Sequence, residues 1–240
     1  DMYTFAQHEN KSYIKLALYK LLTLISIKYS NLYSVSNKND INKYKKYNVS
    51  LRRNWVIDNN YESLDGRFTN RILSVGRLEN QKNYEYLIKE FKDSEFQLDI
   101  VGEGGLKSML TNLASCQNVK INFLGKMSNE DLQDLYKKYR FYVSSSCFEG
   151  NPKTVLEALS NSCIVIASNI KNHSELINND ENGYLFDLKE GCLKSKFEQI
   201  LANDLKQNEV AKNGYESVLT NNSISLISSD EYLDYKLLKK

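Results

Sequence analysis

Two glutamates, Glu149 and Glu157, flank the only proline of the chain, Pro152, in the stretch FEGNPKTVLEAL at 148–159. Carboxylates at this spacing can serve as an acid and a nucleophile, can each grip hydroxyl groups of a ligand, or can be solvated charges beside a well-capped helix. Asn151 is a good N-cap, and Pro152 suits the first helical position, where a missing N–H costs nothing. Gly150 can take backbone angles closed to other residues. The helix is therefore expected to start at Pro152 and to present the amides of Lys153, Thr154 and Val155 to an anion. Glu149 would lie in the loop before it and Glu157 within it, at different depths of one cleft.

A second group is Arg77 and Lys82 in VGRLENQKN at 75–83. Their spacing after an apolar run lets both reach one point above a strand end. Two cations beside a helix N-terminus can hold a diphosphate without a metal ion. The plainer reading is a pair of surface charges among 32 basic residues. VGEGGLK at 101–107 departs from G-x-G-x-x-G, because its glycines fall at 102, 104 and 105, and it reads as a tight strand-to-helix turn.

The elements that must position these residues are legible from about residue 70. Short apolar runs occur at ILSV (72–75), FQLDIV (96–101), VKINFL (119–124), FYV (141–143) and CIVIA (163–167). Helical stripes lie between them, such as Tyr84, Leu87, Ile88 and Phe91, or Leu132, Leu135, Tyr136 and Tyr139. This alternation predicts an α/β fold: a Rossmann-like parallel sheet with helices on both faces and right-handed crossovers. Ligands of such sheets gather outside the carboxyl ends of the strands, which is where the residues singled out above fall.

The expected organisation is an incomplete first unit over 1–62, a linker over 63–70, a Rossmann-like domain over 71–220 and a tail over 221–240. Helices are expected at KSKFEQILAND and LKQNEVAKNGYESVL, after residue 189. YIKLALYKLLTLISI (13–27) is short of a membrane span and is interrupted by Lys15 and Lys20. It predicts a helix buried on most sides, with a membrane-surface helix as the alternative. No secretory signal pattern is visible in the polar DMYTFAQHENK.

Composition narrows the classes of function. The net charge is +2, which gives no electrostatic case for nucleic acid. Cys116, Cys147, Cys163 and Cys192 form no C-x-x-C pair, and the only histidines are His8 and His173. A zinc site is therefore disfavoured, and buried thiols in a reducing compartment are expected.

Taken together, the segments SVGRLENQKN, VGEGGLKSML, INFLGKMSNEDLQDLY, SSSCFEGNPKTVLEALSNSCIVIASNI and HSELINNDENGYLF resemble the donor-binding, C-terminal half of a GT-B fold retaining glycosyltransferase of family 4 (glycosyl transferases group 1). The two glutamates then form the family's E-x7-E motif. The resemblance implies that Arg77 and Lys82 neutralise the donor diphosphate next to Gly76. It implies that the main chain around Gly150, Asn151, Thr154 and Val155 faces the same phosphates. Glu157 would accept from the ribose hydroxyls, Glu149 would contact the transferred sugar, and Gly125, Lys126 and Met127 would hold the nucleobase. Catalysis would rest on Glu149, Arg77 and Lys82, with no metal and no cofactor beyond the nucleotide-diphosphate-sugar donor.

The same resemblance implies a glycan or lipid-linked acceptor, and a cytoplasmic protein with peripheral contact at the inner face of the membrane. It also implies an acceptor-binding N-terminal half beyond this sequence, or a separate partner chain. A donor-binding subunit or non-catalytic sugar-nucleotide module is the alternative. Two departures stand out. NWVIDNNYE (54–62) lacks the proline of the family's V-I-P-N-G strand, and KNHSEL (171–176) replaces a glycine pair with Lys171 and Asn172.

Overall fold

The computed structural model describes residues 13–35 and 38–238. They fall into two compact units, one of residues up to Trp55 together with those from Asn222 onward, the other Val56–Asn221.

The first unit begins with helix α1 (Tyr13–Tyr29), followed by strand β1 (Tyr33–Val35), helix α2 (Lys38–Tyr44) and strand β2 (Val49–Leu51). β1 and β2 pair in parallel. Ile27, Val35 and Tyr44 form its buried cluster. The burial expected for α1 is not observed: Ile27 is its only buried residue, while Ile14, Leu18, Leu21, Leu22 and Ile25 are exposed. Its apolar positions run round most of the helix, and Ile27 is the one that joins the small cluster with Val35 and Tyr44. No helix among the described residues is long and apolar enough to cross a membrane. NWVIDNN forms no strand; Val56 makes only an isolated bridge. Residues 224–238, read from sequence as a tail, form helix α10 (Ile224–Leu238). Its Asp234 accepts from Ser50 Oγ at 2.6 Å and pairs with Arg52.

The second unit carries six parallel strands in the order β5-β4-β3-β6-β7-β8. They are β3 (Phe68–Val75), β4 (Gln97–Val101), β5 (Lys120–Gly125), β6 (Tyr139–Ser144), β7 (Ile164–Ser168) and β8 (Tyr184–Phe186). The helices are α3 (Tyr84–Glu90), α4 (Lys107–Cys116), α5 (Asn129–Tyr136), α6 (Lys153–Ser160), α7 (Lys171–Ser174), α8 (Cys192–Leu201) and α9 (Asp204–Asn222). The predicted Rossmann-like parallel sheet with helices on both faces is what forms. Strand side chains alternate between two cores, as period two requires. Ile72, Leu98, Ile100, Phe141, Val143, Ile164 and Ile166 pack under α3, α4 and α8. Leu73, Val75, Val101, Tyr142, Val165 and Ala167 pack under α5 and α6. Strands covered on both faces, such as β4, β6 and β7, read as near-continuous apolar runs, whereas the edge strand β5 has no fully buried residue.

The stretch 63–70 is not a loose linker in its contacts. Leu64 is buried, Phe68 opens β3, and the Arg67 guanidinium donates to the carbonyls of Glu62, Ser63, Tyr139 and Asn161. The glycines of VGEGG make room for backbone. A Cβ on Gly102 would lie 2.0 Å from Gly76 O, and one on Gly104 would lie 2.4 Å from Leu78 O. Gly76 N donates to Val101 O and Gly102 N to Gly125 O, so the loops after β3, β4 and β5 are tied side by side.

Candidate active site

In this strand order β3 and β6 are neighbours whose chains leave toward opposite edges of the sheet. Such a reversal opens a crevice at the carboxyl ends, where open α/β sheets bind ligands. The loop after β3 supplies Gly76 to Lys82 and the loop after β6 supplies Ser145 to Pro152, so the sequence motifs meet at this point.

The two loops are stitched together. Cys147 N donates to Gln81 O at 2.9 Å, and Ser145 Oγ donates to Lys82 O at 2.9 Å. Within this frame Lys82 Nζ lies 2.6 Å from Glu149 Oε1. Ser146 Oγ donates to the same oxygen at 2.6 Å, and Gln81 Nε2 reaches Oε2 at 3.4 Å while donating to Phe148 O at 2.9 Å. Glu149 is thus held from three sides in a nearly buried position. A side chain on Gly76 would meet Lys82 Cε at 2.7 Å, so the glycine lets the lysine stem cross the loop. Arg77 is placed differently: it is exposed and pairs with Glu79 at 2.9 Å.

Helix α6 starts at Lys153, one residue later than expected, with Pro152 as its cap at φ −77 and ψ 74. A ψ of that size lies outside the helical range, so proline introduces the helix without joining it. Of the three amides expected to be free, Lys153 N is taken by Asn151 O and Val155 N by Pro152 O. Thr154 is braced from beneath: Tyr142 OH donates to its Oγ1 at 2.9 Å, and Tyr136 OH lies 3.4 Å from its carbonyl oxygen. Tyr136 OH also lies 3.3 Å from Glu157 Oε2, and Lys153 Nζ lies 3.7 Å from Glu157 Oε1. Burial pushes the Glu157 carboxyl above the usual glutamate value, and Lys153 and Tyr136 offset only part of that. The two glutamates therefore have separate partners and separate supports.

Gly125 ends β5 with φ +71, a left-handed conformation that suits glycine. Beyond it Lys126 is exposed and Met127 packs partly against the α5–α6 core. Beside the Glu149 loop, Asn172 Nδ2 donates to Gly150 O at 2.9 Å. His173 is fully buried and engages Ser168. His8 lies outside the described residues. Among the described residues no group of three His, Cys, Asp or Glu side chains is arranged to hold a metal ion.

Sequence reasoning missed Gln81, Ser146, Tyr136, Tyr142, Ser168 and His173 as parts of this arrangement. Ser146 and Gln81 sit next to named motif residues, and that adjacency was the available signal. The others are brought in by the fold.

Comparison with known proteins follows the same lines. The chain is 31% identical over 143 residues to the UDP-N-acetylglucosamine–peptide N-acetylglucosaminyltransferase GtfA subunit of Limosilactobacillus reuteri, covering 57% of this chain and 28% of that protein. It is 26% identical over 224 residues to a Campylobacter jejuni α-1,4-N-acetyl-D-galactosaminyltransferase whose named substrate is a diphospho-undecaprenol-linked glycan, covering 87% and 61%. The chain thus spans about a quarter of one relative's length and under two thirds of the other's. The structure of sucrose-phosphate synthase from Thermosynechococcus elongatus superimposes with a TM-score of 0.82 over 96% of this chain and 63% of that one, at 19% identity. This likeness is one of fold, over the part of that chain that is covered. The family model described as glycosyl transferases group 1 matches residues 66–217, the whole span from the clasp at Arg67 to helix α9, and the chain belongs to that family.

Proposed function

We propose that this chain is the donor-binding part of a retaining, family 4-type glycosyltransferase. It would move a sugar from a nucleotide-diphosphate-sugar to a glycan or lipid-linked acceptor, in polysaccharide or glycolipid assembly. The observation that carries this reading is the Lys82–Glu149 contact at the β3/β6 crevice, where a phosphate-neutralising cation and a hydroxyl-binding carboxylate lie within one hydrogen bond.

The chemistry follows from charge and reach. Breaking a sugar–phosphate bond leaves negative charge on the diphosphate, which Lys82 and Arg77 would stabilise as it develops. Arg77 is exposed and paired with Glu79 at the surface, so a phosphate could take the place of Glu79. Gly76, Gly150, Asn151, Thr154 and Val155 would bring main chain to the phosphates. Glu149 would accept from hydroxyls of the sugar, and Glu157 from the ribose. Gly125, Lys126 and Met127 would take the base. Attack on the donor's own face, with the leaving phosphate accepting the acceptor's proton, gives retention without a protein nucleophile. A glycosidase role for the pair is disfavoured because Glu157 lies inside α6, engaged by Lys153 and Tyr136. No metal is required, since two cations meet the diphosphate charge.

The L. reuteri relative is named as a subunit, and this supports a second reading in which a separate chain completes the acceptor side. Cytoplasmic location with peripheral contact at the inner membrane face is proposed on the C. jejuni relative's lipid-linked substrate and on the exposed apolar residues of α1.

Titration of the chain with UDP and GDP, in EDTA, tests the donor site. Saturable binding weakened about tenfold or more by Lys82→Ala and by Arg77→Ala is expected, each substitution removing one charge-assisted contact. Absence of binding, or binding indifferent to both substitutions, overturns the assignment.

A further inference from the structure

His173 is one of the most buried polar side chains of the second unit, and none of the donor contacts proposed above uses it. Its Nδ1 lies 2.8 Å from Ser168 O and 3.2 Å from Ser168 Oγ. A carbonyl oxygen can only accept, so Nδ1 carries the proton and donates. That leaves Nε2 as the lone-pair nitrogen of a neutral ring, and Nε2 is buried with no partner. An orphaned buried acceptor is costly, which raises the question of what the ring does in return.

The answer lies in what Ser168 is left free to do. Nδ1–H approaches Oγ from one side, so the hydroxyl proton of Ser168 is directed away, to Ser146 O at 2.6 Å. Ile170 N also donates to Ser168 O, at 2.7 Å, so this carbonyl has both lone pairs occupied and its peptide is fixed. Ser146, pinned through its carbonyl, in turn donates Oγ–H to Glu149 Oε1 at 2.6 Å. Contacts of 3.2, 2.6 and 2.6 Å therefore lead from α7 across the ends of β7 and β6 to the carboxylate.

We propose that His173 is a positioning residue for Glu149, acting through Ser168 and Ser146 to hold the carboxylate where it meets the sugar of the donor. Burial keeps the ring neutral, so it orients Ser168 without placing a second cation beside Lys82. The proposal rests on reading Glu149 as the sugar contact, and it assigns the His173 relay to sugar recognition and not to diphosphate binding.

The test separates those two grips. The full 240-residue chain is titrated with UDP and GDP, and with UDP-glucose, UDP-N-acetylglucosamine and GDP-mannose. The tightest sugar nucleotide and its parent diphosphate are then compared in Ser146→Ala, Ser168→Ala, His173→Leu and His173→Asn. Ser146→Ala, Ser168→Ala and His173→Leu are expected to weaken the sugar nucleotide about tenfold while the parent diphosphate changes less than about twofold. His173→Asn, whose amide nitrogen can stand where Nδ1 stands, is expected to keep the original ratio. An unchanged ratio in Ser168→Ala, equal losses for both ligands, or His173→Asn failing as far as His173→Leu overturns the proposal. Ser168→Ala removes one hydroxyl and carries the decision should His173→Leu not fold. Failure of UDP and GDP to bind the unsubstituted chain sinks the donor-site reading itself, and the positioning role with it.

Discussion

Lys82 and Glu149 neutralise one another: Nζ and Oε1 are 2.6 Å apart, on side chains 17% and 9% exposed. A diphosphate entering the crevice must share Lys82 with Glu149 or take it away. Glu149 would keep Ser146 and Gln81 in either case, so the carboxylate can stay in place while the lysine turns to the phosphates.

The pair is expected to be energetically coupled. Lys82→Met or Glu149→Gln alone should each lower stability by roughly 2–3 kcal/mol, because each strands a nearly buried group. The double substitution should cost less than the sum by more than about 1 kcal/mol. Denaturant titration of the four proteins measures this, and simple additivity would show that the contact carries no energy. In the same set, Glu149→Gln should bind UDP severalfold tighter, since Lys82 is released; weaker binding would contradict competition.

Glu157 makes a pH-dependent prediction. Its folded-state carboxyl lies above the ordinary value of 4.5 because burial disfavours the charge. The native chain therefore holds this proton more tightly than the unfolded chain does. The stabilisation is complete below about 4.5 and is lost as pH rises through the folded value. The stability of the native sequence relative to Glu157→Gln should thus fall over the range above pH 4.5. A difference that stays flat across that range would remove the basis for the claim.

Asp99 should behave in the opposite sense. Burial pushes its carboxyl up, but hydrogen bonds from Arg71 at 2.7 Å, Gln97 at 2.8 Å and Tyr139 at 2.8 Å outweigh it and hold it below 3.8. Its contribution is present above 3.8 and is lost as pH falls through the lower folded value. Asp99→Asn is expected to cost about 2–3 kcal/mol at pH 7, with the gap closing under acid. Melting at pH 7 and at successively lower pH below 3.8 decides it; a gap that does not narrow as the pH falls contradicts the assignment.

The glycines of the β4 loop divide cleanly. Gly102→Ala drives a methyl into Gly76 O and should cost about 3 kcal/mol or more, with loss of UDP binding as the β3 loop shifts. Gly105 has nothing within 4 Å of its absent Cβ, and Gly105→Ala should be neutral within about 0.5 kcal/mol. Comparable losses at both positions would mean that this turn serves something other than close backbone approach.

Four strands of the second unit were legible because apolar runs buried on both faces have no other stable place. β5 was legible as the apolar run VKINFL, although none of the strand's own residues, Lys120–Gly125, is fully buried. β8, three residues in NGYLF, was too short to show a pattern. Glu149 and Lys82 were legible as strand-end charges, and the structure brings them into contact. The relay through Ser168 and His173 was not, because spacing says nothing about contacts between loops that follow different strands. Pro152 misled by one residue, since its fixed φ suits a cap as well as a first turn. Helix α1 misled more, because apolar positions around a helix state what can be buried without supplying anything to bury them.

The Arg67 clasp has a further consequence. Its partners are four carbonyl oxygens, which neither titrate nor recruit counterions as a carboxylate would. Added salt screens exposed charges such as Arg77 strongly and this enclosed guanidinium hardly at all. Raising ionic strength should therefore loosen the grip on a diphosphate long before it loosens the sheet that presents it. On the proposed donor site, ionic strength would thus be a way to release nucleotide from an intact scaffold.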